Sequence, residues 1–345
     1  MIIDGRKIGA SEMPYIIAEM SANHNGDIEN AFRIIEQAKK NGASAVKIQT
    51  YTADTLTLKS ELPDFVISDG LWAGRTLYDL YEWAHTPWDW HESLFNYARK
   101  VGITMFSSPF DSTAVDMLED LNAPAYKIAS FEVIDLALIK YVANTGKPMI
   151  ISTGMADGDE IGEAVETARA GGCKELALLH CVSGYPAPSE DYNLITLPDI
   201  ASRFNLITGL SDHTLDNSTA IAAVALGASI VEKHFTLDRN GGGPDDSFSL
   251  EPSDLLDLCR DSETVWRALG KVNYGRKSSE IENLKFRRSL YFVKDVSKGE
   301  MITADMVRSV RPGYGLPPKE LEGMLGKRLK KNVFFGEAVT NVAFD

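Results

Sequence analysis

Hydrophobic and polar positions divide the first 270 residues into two kinds of segment that alternate along the chain. Short, nearly continuous apolar runs are typical of buried parallel strands, and segments with apolar residues every three or four positions are typical of amphipathic helices. The predicted strands are residues 15–20, 45–50, 103–108, 125–130, 148–153, 176–182, 206–211 and 229–235. The predicted helices are residues 28–41, 90–101, 112–121, 134–145, 158–171, 194–204, 217–227 and 253–269.

These segments form eight consecutive β/α units, which favours an α/β fold of the (β/α)8 TIM-barrel type. Eight units in about 255 residues match the usual size of that barrel. A doubly wound open sheet is the alternative, and it usually has a glycine-rich phosphate loop after its first strand. Here the first predicted strand is followed by Ser21-Ala-Asn-His-Asn-Gly26, which is not such a loop. We therefore expect residues 1–270 to form a TIM barrel.

The pattern changes after Gly270. Residues 271–285 are polar and charged, which predicts a linker, and residues 286–345 contain a weak internal repeat. Val296-Ser-Lys-Gly-Glu-Met-Ile-Thr303 recurs as Val333-Phe-Phe-Gly-Glu-Ala-Val-Thr340, which predicts a small, mostly β module. A module of about 60 residues is marginal for independent stability, so we expect it to dock on another part of the protein.

The composition excludes several classes of protein. Hydrophobic residues make up 44% and charged residues 24% of the chain, as in an ordinary globular protein. The net charge of −14, without a long basic stretch, argues against binding to nucleic acid or to an anionic membrane. No apolar run reaches the roughly 18 residues that a membrane span needs. An anionic substrate would therefore require a locally cationic pocket.

The N-terminus and the cysteines indicate a cytoplasmic protein. The first residues lack the apolar core of a signal peptide, and Asp4-Gly5 predicts the turn of a small hairpin. The cysteines lack the spacing of a metal site; they are Cys173, Cys181 and Cys259. Cys181 lies within a hydrophobic run, which predicts a buried, reduced thiol.

Two histidines follow two consecutive predicted strands in the same way. His213 comes just after the strand 206–211, and His234 comes near the end of the strand 229–235. In a TIM barrel the carboxyl ends of the strands form the active face, and consecutive strands are neighbours. Two neutral imidazoles side by side provide half of the ligands of a divalent metal. The alternative is that they are two unrelated polar residues at strand ends.

Other polar residues occur at the ends of the predicted strands. They are Glu19, Lys47, Gln49, Ser107, Ser108, Lys127, Ser130, Ser152, Ser183, Ser211 and Glu232. Lysines with hydroxyl groups suit a phosphate or carboxylate ligand. Helix capping by the serines, and pairing of Glu232 with Lys233 outside the barrel, are alternative explanations for individual residues. Together, the residues predict an active site at the barrel mouth.

A long loop, residues 51–89, follows the second predicted strand. Long loops on the active face of an enzyme are usually functional. Its aromatic residues are concentrated in residues 70–91. They could line a substrate pocket, or they could form an interface or a satellite core, and the sequence favours neither.

Several of these stretches resemble the sialic acid synthases, enzymes that condense phosphoenolpyruvate with an N-acetylated sugar. The matching stretches are residues 17–26, 46–50, 106–110, 125–130, 152–155, 180–181, 185–186, 209–215, 232–236 and 243–245. Residues 286–345 resemble the antifreeze-like (SAF) domain of that family, with Val310-Arg-Pro-Gly313 as its signature. The resemblance covers essentially the whole chain.

Within that family, the chain is most similar to the pseudaminic acid synthases. Met20-Ser-Ala-Asn-His24 replaces the Ile-Gly-x-Asn-His that is usual in N-acetylneuraminate synthases. The insertion at 70–91 and Phe248-Ser-Leu250 are similar to the pseudaminate branch, and Ser183 stands where neuraminate synthases usually carry Asn. An N-acetylneuraminate or legionaminate synthase is the alternative within the family.

The resemblance implies a transferase that joins C3 of phosphoenolpyruvate to the aldehyde of open-chain 2,4-diacetamido-2,4,6-trideoxy-L-altropyranose. Water adds at C2, and phosphate leaves by C–O cleavage. The resemblance also implies a divalent metal on His213 and His234, typically Mn²⁺ with Mg²⁺ or Co²⁺ as alternatives, which polarises the aldehyde. The resemblance implies that Glu19 handles the proton of the attacking water. The residues that it implies for phosphoenolpyruvate binding are Lys47, Ser108, Lys127, Ser130, Ser152, Ser183 and Ser211. Those that it implies for sugar binding are Gln49, Tyr185 and Asp245.

The resemblance further implies a domain-swapped homodimer in which Arg311 of one subunit contacts the N-acetyl group of the sugar bound by the other. Two functions of other classes compete with this interpretation. A Schiff-base aldolase would use Lys127 or Lys47, but the histidine pair argues against it. A non-enzymatic carbohydrate- or ice-binding protein is suggested by the C-terminal module alone, and the charged barrel mouth argues against that function.

Overall fold

The computed structural model of the protein describes residues 1–343. The chain divides into two compact units, a first unit of residues 1–270 and a C-terminal unit that begins at Lys271. Among the residues that the structure describes, none of the helices combines the length and the apolar character needed to cross a membrane.

Eight parallel strands close into a barrel in the first unit. In chain order they are β1 (Tyr15–Glu19), β2 (Ala45–Thr50), β3 (Thr104–Pro109), β4 (Tyr126–Ile128), β5 (Met149–Ser152), β6 (Leu176–Cys181), β7 (Ile207–Asp212) and β8 (Ile230–His234). Each strand pairs with the next one in the chain, and β8 pairs with β1. The predicted (β/α)8 TIM barrel is therefore confirmed, and the open-sheet alternative is wrong.

A helix follows every strand of the barrel. The helices are α1 (Ile28–Lys40), α2 (His91–Val101), α3 (Ser112–Asp120), α4 (Leu136–Ala143), α5 (Gly158–Ala170), α6 (Thr196–Phe204), α7 (Ser218–Ala225) and α8 (Pro252–Leu269). Several begin at an N-cap carboxylate, such as Asp111 of α3 and Asp157 of α5, which accept hydrogen bonds from backbone N–H groups of the first turn. The observed ends of all sixteen elements agree with the predicted ends to within two residues.

The N-terminal hairpin closes one end of the barrel. Its strands, Ile2–Ile3 and Arg6–Lys7, are joined by Asp4 and Gly5, which both have a positive φ, and this confirms the predicted turn. Ile3 packs in one buried cluster with Ile17 and Phe106 of the barrel interior. Because this apolar plug fills the amino-terminal end of the barrel, the polar interior residues are confined to the carboxyl end of the strands.

The C-terminal unit is a small antiparallel structure around its own apolar core, as predicted for an SAF domain. Its sheet consists of β9 (Ser289–Phe292) and β10 (Val307–Val310). The two copies of the internal repeat pair with each other through an antiparallel bridge between Val296 and Val333. Gly299 and Gly336 occupy equivalent positions in the repeat, and both have a positive φ that favours glycine. The segment predicted as a linker contains an exposed 3₁₀ helix, Ser278–Phe286.

Candidate active site

Four charged side chains meet inside the carboxyl end of the barrel. Lys47 Nζ of β2 lies 2.9 Å from Glu19 Oε2 of β1 and 3.6 Å from Glu232 Oε1 of β8. Lys127 Nζ of β4 lies 3.7 Å from the same oxygen of Glu232. All four side chains are almost completely buried. Two buried ammonium groups are therefore balanced by two buried carboxylates.

The surroundings shift the pKa values of the two carboxyl groups in opposite directions. Burial raises the pKa of Glu19 more strongly than the charge of Lys47 lowers it. Burial also acts to raise the pKa of Glu232, but the charges of Lys127 and Lys47 outweigh it and lower this pKa. These opposite shifts favour the ionised form of Glu232 between the lysines and the proton on Glu19.

Serine hydroxyls surround the two lysines. Lys47 Nζ donates a hydrogen bond to Ser108 Oγ at 3.1 Å, and Lys127 Nζ donates one to Ser152 Oγ at 2.6 Å. Ser211 Oγ donates to Glu232 Oε1 at 3.3 Å. Ammonium and hydroxyl donors that converge in a buried space are suited to a phosphate or a carboxylate ligand.

Two further serines meet at Gly154, in the loop after β5. Ser130 Oγ accepts a hydrogen bond from the Gly154 N–H at 3.1 Å. A Cβ at position 154 would lie 2.3 Å from Ser183 Oγ and 2.8 Å from Ser130 Oγ, so only glycine allows this close approach. Ser183 Oγ is buried and has no hydrogen-bond partner within residues 1–343. This hydroxyl is free to bind a ligand in the cavity.

His213 and His234 face each other across the ends of β7 and β8, with their ring centroids 5.4 Å apart. His213 Nδ1 lies 2.8 Å from the carbonyl oxygen of Val182, so we assign the proton to Nδ1, which leaves Nε2 with a free lone pair. His234 Nδ1 is buried and is without a hydrogen-bond partner in the described part of the chain. Burial lowers the pKa of His234 well below its usual value, so this imidazole is neutral at neutral pH.

Burial acts to lower the pKa of His213, but Cys181, the Val182 carbonyl and Glu232 outweigh it and raise this pKa. The two imidazoles fit a divalent metal ion once Nε2 of His213 is unprotonated, because each then offers an unshared ring nitrogen. Over residues 1–343, no group of three or more His, Cys, Asp or Glu side chains is arranged to hold a metal. A metal on this pair would therefore take its other ligands from water or substrate, which is the arrangement of a catalytic rather than a structural site.

A chain of hydrogen bonds leads from the charged centre to the mouth of the barrel. Gln49 Nε2 donates to Glu19 Oε1 at 2.9 Å and to Ser21 Oγ at 3.0 Å. Ser21 Oγ in turn donates to Asp245 Oδ2 at 2.5 Å. Tyr185 stacks beside His213, with ring centroids 4.3 Å apart. Amide, carboxylate and phenol groups lie here side by side, as a polyhydroxylated ligand requires.

A cavity of about 470 Å³ lies at this mouth. Gln49, Ser183, Tyr185, His234 and Asp245 all line it. Its opposite wall is more apolar and comes largely from the long loop after β2, which contains short helices at Ala53–Leu56 and Leu77–Ala84. The residues of this wall are Leu56, Trp72, Leu80, Tyr81, Ala84 and Phe110. The aromatic segment therefore lines the cavity, which was the first of the possibilities that the sequence left open.

Comparison with known proteins identifies the family. The NeuB family matches residues 34–274, and the SAF domain matches residues 287–344.

The chain belongs to the NeuB family.

It is 44% identical over 328 residues to the pseudaminic acid synthase of Campylobacter jejuni, which covers 94% of this chain and 95% of that protein. It is 36% identical to the N,N'-diacetyllegionaminic acid synthase of the same species, over 92% of this chain and 96% of that protein. The crystal structure of N-acetylneuraminic acid synthetase from Leptospira borgpetersenii superimposes with a TM-score of 0.74 at 31% identity, over 83% of this chain and 95% of that chain.

Membership in the NeuB family makes the chain an enzyme of the sugar-acid synthase type. The alternative of a non-enzymatic carbohydrate- or ice-binding protein is thereby set aside. Arg311 lies in the C-terminal unit of the chain, where it is exposed directly after β10. Its contact with a sugar in a second subunit stays a prediction.

The cavity also contains a carboxyl group that the sequence analysis missed. Glu132 lines the cavity and ends the short 3₁₀ turn Ser130–Glu132 after β4. Its Oε2 is buried and has no hydrogen-bond partner in residues 1–343. Burial raises the pKa of Glu132 to about 7, although the charge of Lys127 acts in the opposite direction. Its place two residues after Ser130, at a strand end, was the signal that could have identified it.

Glu232 was noted in the sequence, but its alternative explanation as half of an exterior pair with Lys233 is wrong. Successive strand residues point to opposite faces. Glu232 points into the barrel toward Lys47 and Lys127, and Lys233 points outward and pairs with Asp212 at 2.8 Å. Cys181, at the end of β6, is a buried free thiol, and its Sγ lies 3.9 Å from His213 Nδ1.

Proposed function

We propose that this protein is a pseudaminic acid synthase. It condenses phosphoenolpyruvate with open-chain 2,4-diacetamido-2,4,6-trideoxy-L-altropyranose and releases phosphate. The observation that carries the proposal is that two buried lysines with their serine partners and a pair of facing imidazoles lie together at the carboxyl end of one barrel. The higher identity to a pseudaminic acid synthase than to a legionaminic acid synthase of the same species supports this acceptor over the alternatives.

Phosphoenolpyruvate binds beside the two lysines and their serine partners in this proposal. Lys47 and Lys127 each have a carboxylate partner in the protein alone, so the arriving phosphate and carboxylate compete with Glu19 and Glu232 for the same ammonium groups. The serine donors of the site are Ser108, Ser130, Ser152, Ser183 and Ser211. Their hydroxyl groups rotate to donate to an anion, which a fixed carboxylate does not do.

Removal of either lysine should weaken phosphoenolpyruvate binding by about 2–4 kcal/mol. Lys47→Ala and Lys127→Ala each leave a buried carboxylate and the bound anion without a charge-assisted partner. Calorimetric titration of phosphoenolpyruvate measures the effect, with Lys39→Ala, an exposed lysine of α1, as the control. If both variants fold and bind with the wild-type dissociation constant, the lysines do not hold this substrate.

His213 and His234 would hold the divalent metal, with Mn²⁺ as the first candidate and Mg²⁺ or Co²⁺ as alternatives. When bound there, the metal supplies Lewis acidity toward the aldehyde oxygen of the sugar. Tyr185, stacked on His213, and Asp245, 3.7 Å from His234 Nδ1, lie where they would orient the same sugar. Gln49 completes this polar side through its bond to Ser21.

Two carboxyl groups are placed to move protons. Addition of C3 of phosphoenolpyruvate to the aldehyde leaves cationic character at C2, and water must lose a proton as it adds there. Glu19 is our candidate to accept that proton, because its pKa is raised and it belongs to the charged centre. Glu132, with a pKa of about 7, is a second group that can exchange a proton near neutral pH.

The apolar wall of the cavity supports a 6-deoxy, di-N-acetylated acceptor. Leu56, Leu80 and Ala84 offer methyl groups where a sugar methyl or acetamido methyl can pack. A 6-hydroxyl placed against this wall would lose its hydrogen bonds to water without a replacement.

We expect kcat/KM for phosphate release from phosphoenolpyruvate to be at least about tenfold higher with the altro-configured 6-deoxy acceptor than with N-acetylmannosamine. The reason is that a buried hydroxyl without a hydrogen-bond partner costs about 1–3 kcal/mol. Leu80→Ser should narrow this ratio, and the exposed Leu62→Ser in the same loop should leave it unchanged. A higher kcat/KM with N-acetylmannosamine would contradict the pseudaminate assignment.

Burial lowers the pKa of Lys127, which favours the neutral amine that a Schiff-base aldolase needs. Membership in the NeuB family and the pair of facing imidazoles favour the condensation with phosphoenolpyruvate instead. Borohydride treatment in the presence of pyruvate distinguishes the two mechanisms. A covalent adduct on Lys127 would indicate the aldolase.

The proposal includes a domain-swapped homodimer. The loops on the active face of the barrel carry large apolar side chains that are more than half exposed; they are Phe131, Ile134, Met155, Ile195 and Leu215. Exposed apolar residues clustered on one face are typical of a protein–protein interface. A second copy of this chain is the partner that the proposal assigns to this face, with its Arg311 completing the sugar site.

A further inference from the structure

A buried ion pair lies directly behind the two imidazoles. Asp212, the last residue of β7, precedes His213, and Lys233 of β8 precedes His234. Lys233 Nζ lies 2.8 Å from Asp212 Oδ2, and both side chains are almost completely buried. Because successive side chains alternate between the faces of the barrel, the ion pair joins the two strands on the face opposite the imidazoles.

The same lysine also holds the turn that follows His213. Lys233 Nζ donates to the carbonyl oxygens of Thr214 at 2.8 Å and Asp216 at 2.7 Å. Asp212 Oδ1 accepts a hydrogen bond from the Thr214 N–H at 2.9 Å. The backbone on the carboxyl side of His213 is therefore tied to β8 through one ammonium group.

A fully buried tyrosine fixes His213 from a third direction. Tyr192, in the loop between β6 and α6, accepts a hydrogen bond on its Oη from the backbone N–H of His213 at 2.7 Å. Its own backbone carbonyl accepts a hydrogen bond from His180 Nε2 of β6. Three strands thus contribute to the position of a single imidazole.

Stability alone is a weak reason for this arrangement. A buried ion pair usually contributes little net free energy compared with apolar side chains of similar size, because desolvation of two charges offsets their attraction. What such a pair supplies is geometry, because each bond has a fixed length and direction. Here the bonds of Lys233, Asp212 and the Tyr192 hydroxyl end on the backbone of His213, on the turn that follows it, or between the two strands that precede the imidazoles.

We propose that Lys233, together with Asp212 and Tyr192, is a positioning residue that sets the separation and orientation of His213 and His234, and through them the affinity of the site for a divalent cation. The inference rests on the proposed metal site. Lys233 points away from the cavity, so it acts through the two imidazoles rather than on a substrate. Residues that orient metal ligands in this way typically affect metal affinity by roughly 10- to 100-fold when they are removed.

Two variants test the proposal at different points of the network. Asp212→Asn/Lys233→Met removes both charges together, so that no unpaired ion is left buried, and Tyr192→Phe removes one hydroxyl. Tyr126→Phe is the matched control, because Tyr126 is a buried barrel tyrosine whose Oη donates to Glu119, away from the imidazoles. Circular dichroism shows which variants fold.

The first measurement is the dissociation constant of Mn²⁺, by calorimetry on the substrate-free protein. We expect it to rise roughly 10- to 100-fold in the double variant and by a smaller factor in Tyr192→Phe, with no change in Tyr126→Phe. The dissociation constant of phosphoenolpyruvate should change far less than that of Mn²⁺ in every variant, since β7 and β8 contribute only Ser211 and Glu232 to that part of the site, and both point to the face opposite Asp212 and Lys233. Wild-type Mn²⁺ affinity in both test variants would overturn the proposal.

The second measurement needs no metal. Imidazole ¹⁵N resonances of the metal-free protein report the tautomer and hydrogen bonding of His213 and His234. We expect them to move in the two test variants and not in Tyr126→Phe. Unchanged resonances in both test variants would overturn the positioning role, whether or not the wild-type protein binds Mn²⁺. Absence of Mn²⁺ binding to the wild-type protein would by itself contradict only the proposed metal. If the double variant does not fold, Tyr192→Phe decides both measurements.

Discussion

His213→Ala and His234→Ala should each lose Mn²⁺ binding and lower kcat at least about a thousandfold, since polarisation of a carbonyl by a metal contributes several kcal/mol. Each substitution removes one of two facing imidazoles whose ring centroids are 5.4 Å apart. With one imidazole removed, the protein offers the divalent ion a single ring nitrogen, which binds it more weakly than a chelating pair does.

The barrel should survive both substitutions. The two rings line the mouth and contribute few backbone contacts, apart from the bond between His213 Nδ1 and the Val182 carbonyl. His85→Ala is the control, because His85 lies in the loop after β2 and its Nδ1 bonds only locally to the carbonyl of Glu82. Phosphate release is measured with and without a chelator, and Mn²⁺ binding by calorimetry. A folded variant lacking both His213 and His234 that keeps wild-type activity after chelation would disprove the metal assignment.

The barrel could be predicted because each of its strands is buried on both faces. Such strands appear in the sequence as nearly continuous apolar runs, of which Ile150 and Ile151 in β5 are an example. Most of the helices between them end at glycines or asparagines, such as Asn41 and Gly102, that mark the boundary. Once the topology is known, the carboxyl ends of the strands identify His213, Lys47 and the other polar residues of the mouth without any knowledge of distances.

The parts of the site that could not be predicted depend on burial and on side-chain direction. Glu132 follows a strand as many exposed residues do, and only the surrounding structure raises its pKa to about 7. Glu232 and Lys233 are adjacent in sequence, and which of them faces the interior depends on the register of β8 in the barrel. Leu80 and Trp72 are far from the strand ends in sequence and reach the cavity because the loop after β2 folds over the mouth.

In the proposed dimer, Arg311 would act in the sugar site of a second subunit. Two observations favour action in the partner's site. The barrel's active face carries exposed apolar residues, such as Phe131 and Leu215, that a docked module would cover. The chain is acidic overall, with a net charge of −14, whereas residues 286–345 contain more lysine and arginine than acidic residues. Opposite charges favour association of the two parts.

Mixing Arg311→Ala protein with His213→Ala protein should therefore restore activity that neither has alone. Arg311→Ala loses a charge-assisted hydrogen bond to the sugar, which is worth about 1.5–3 kcal/mol, and His213→Ala loses the metal. In a heterodimer, the intact barrel of the first chain receives Arg311 from the second, which regenerates one complete site. With random exchange about half of the dimers are mixed, so about a quarter of the wild-type activity returns.

A second mixture separates action in the partner's site from action within one chain. In a mixture of wild-type protein with an equal amount of the combined Arg311→Ala/His213→Ala variant, only about a quarter of all sites should be active, because a wild-type barrel in a mixed dimer lacks Arg311. If Arg311 served its own barrel, about half of the sites would remain. Native mass spectrometry of differently tagged chains measures the exchange that both mixtures require. Exchange without recovered activity in the first mixture, together with half activity in the second, would assign Arg311 to its own subunit.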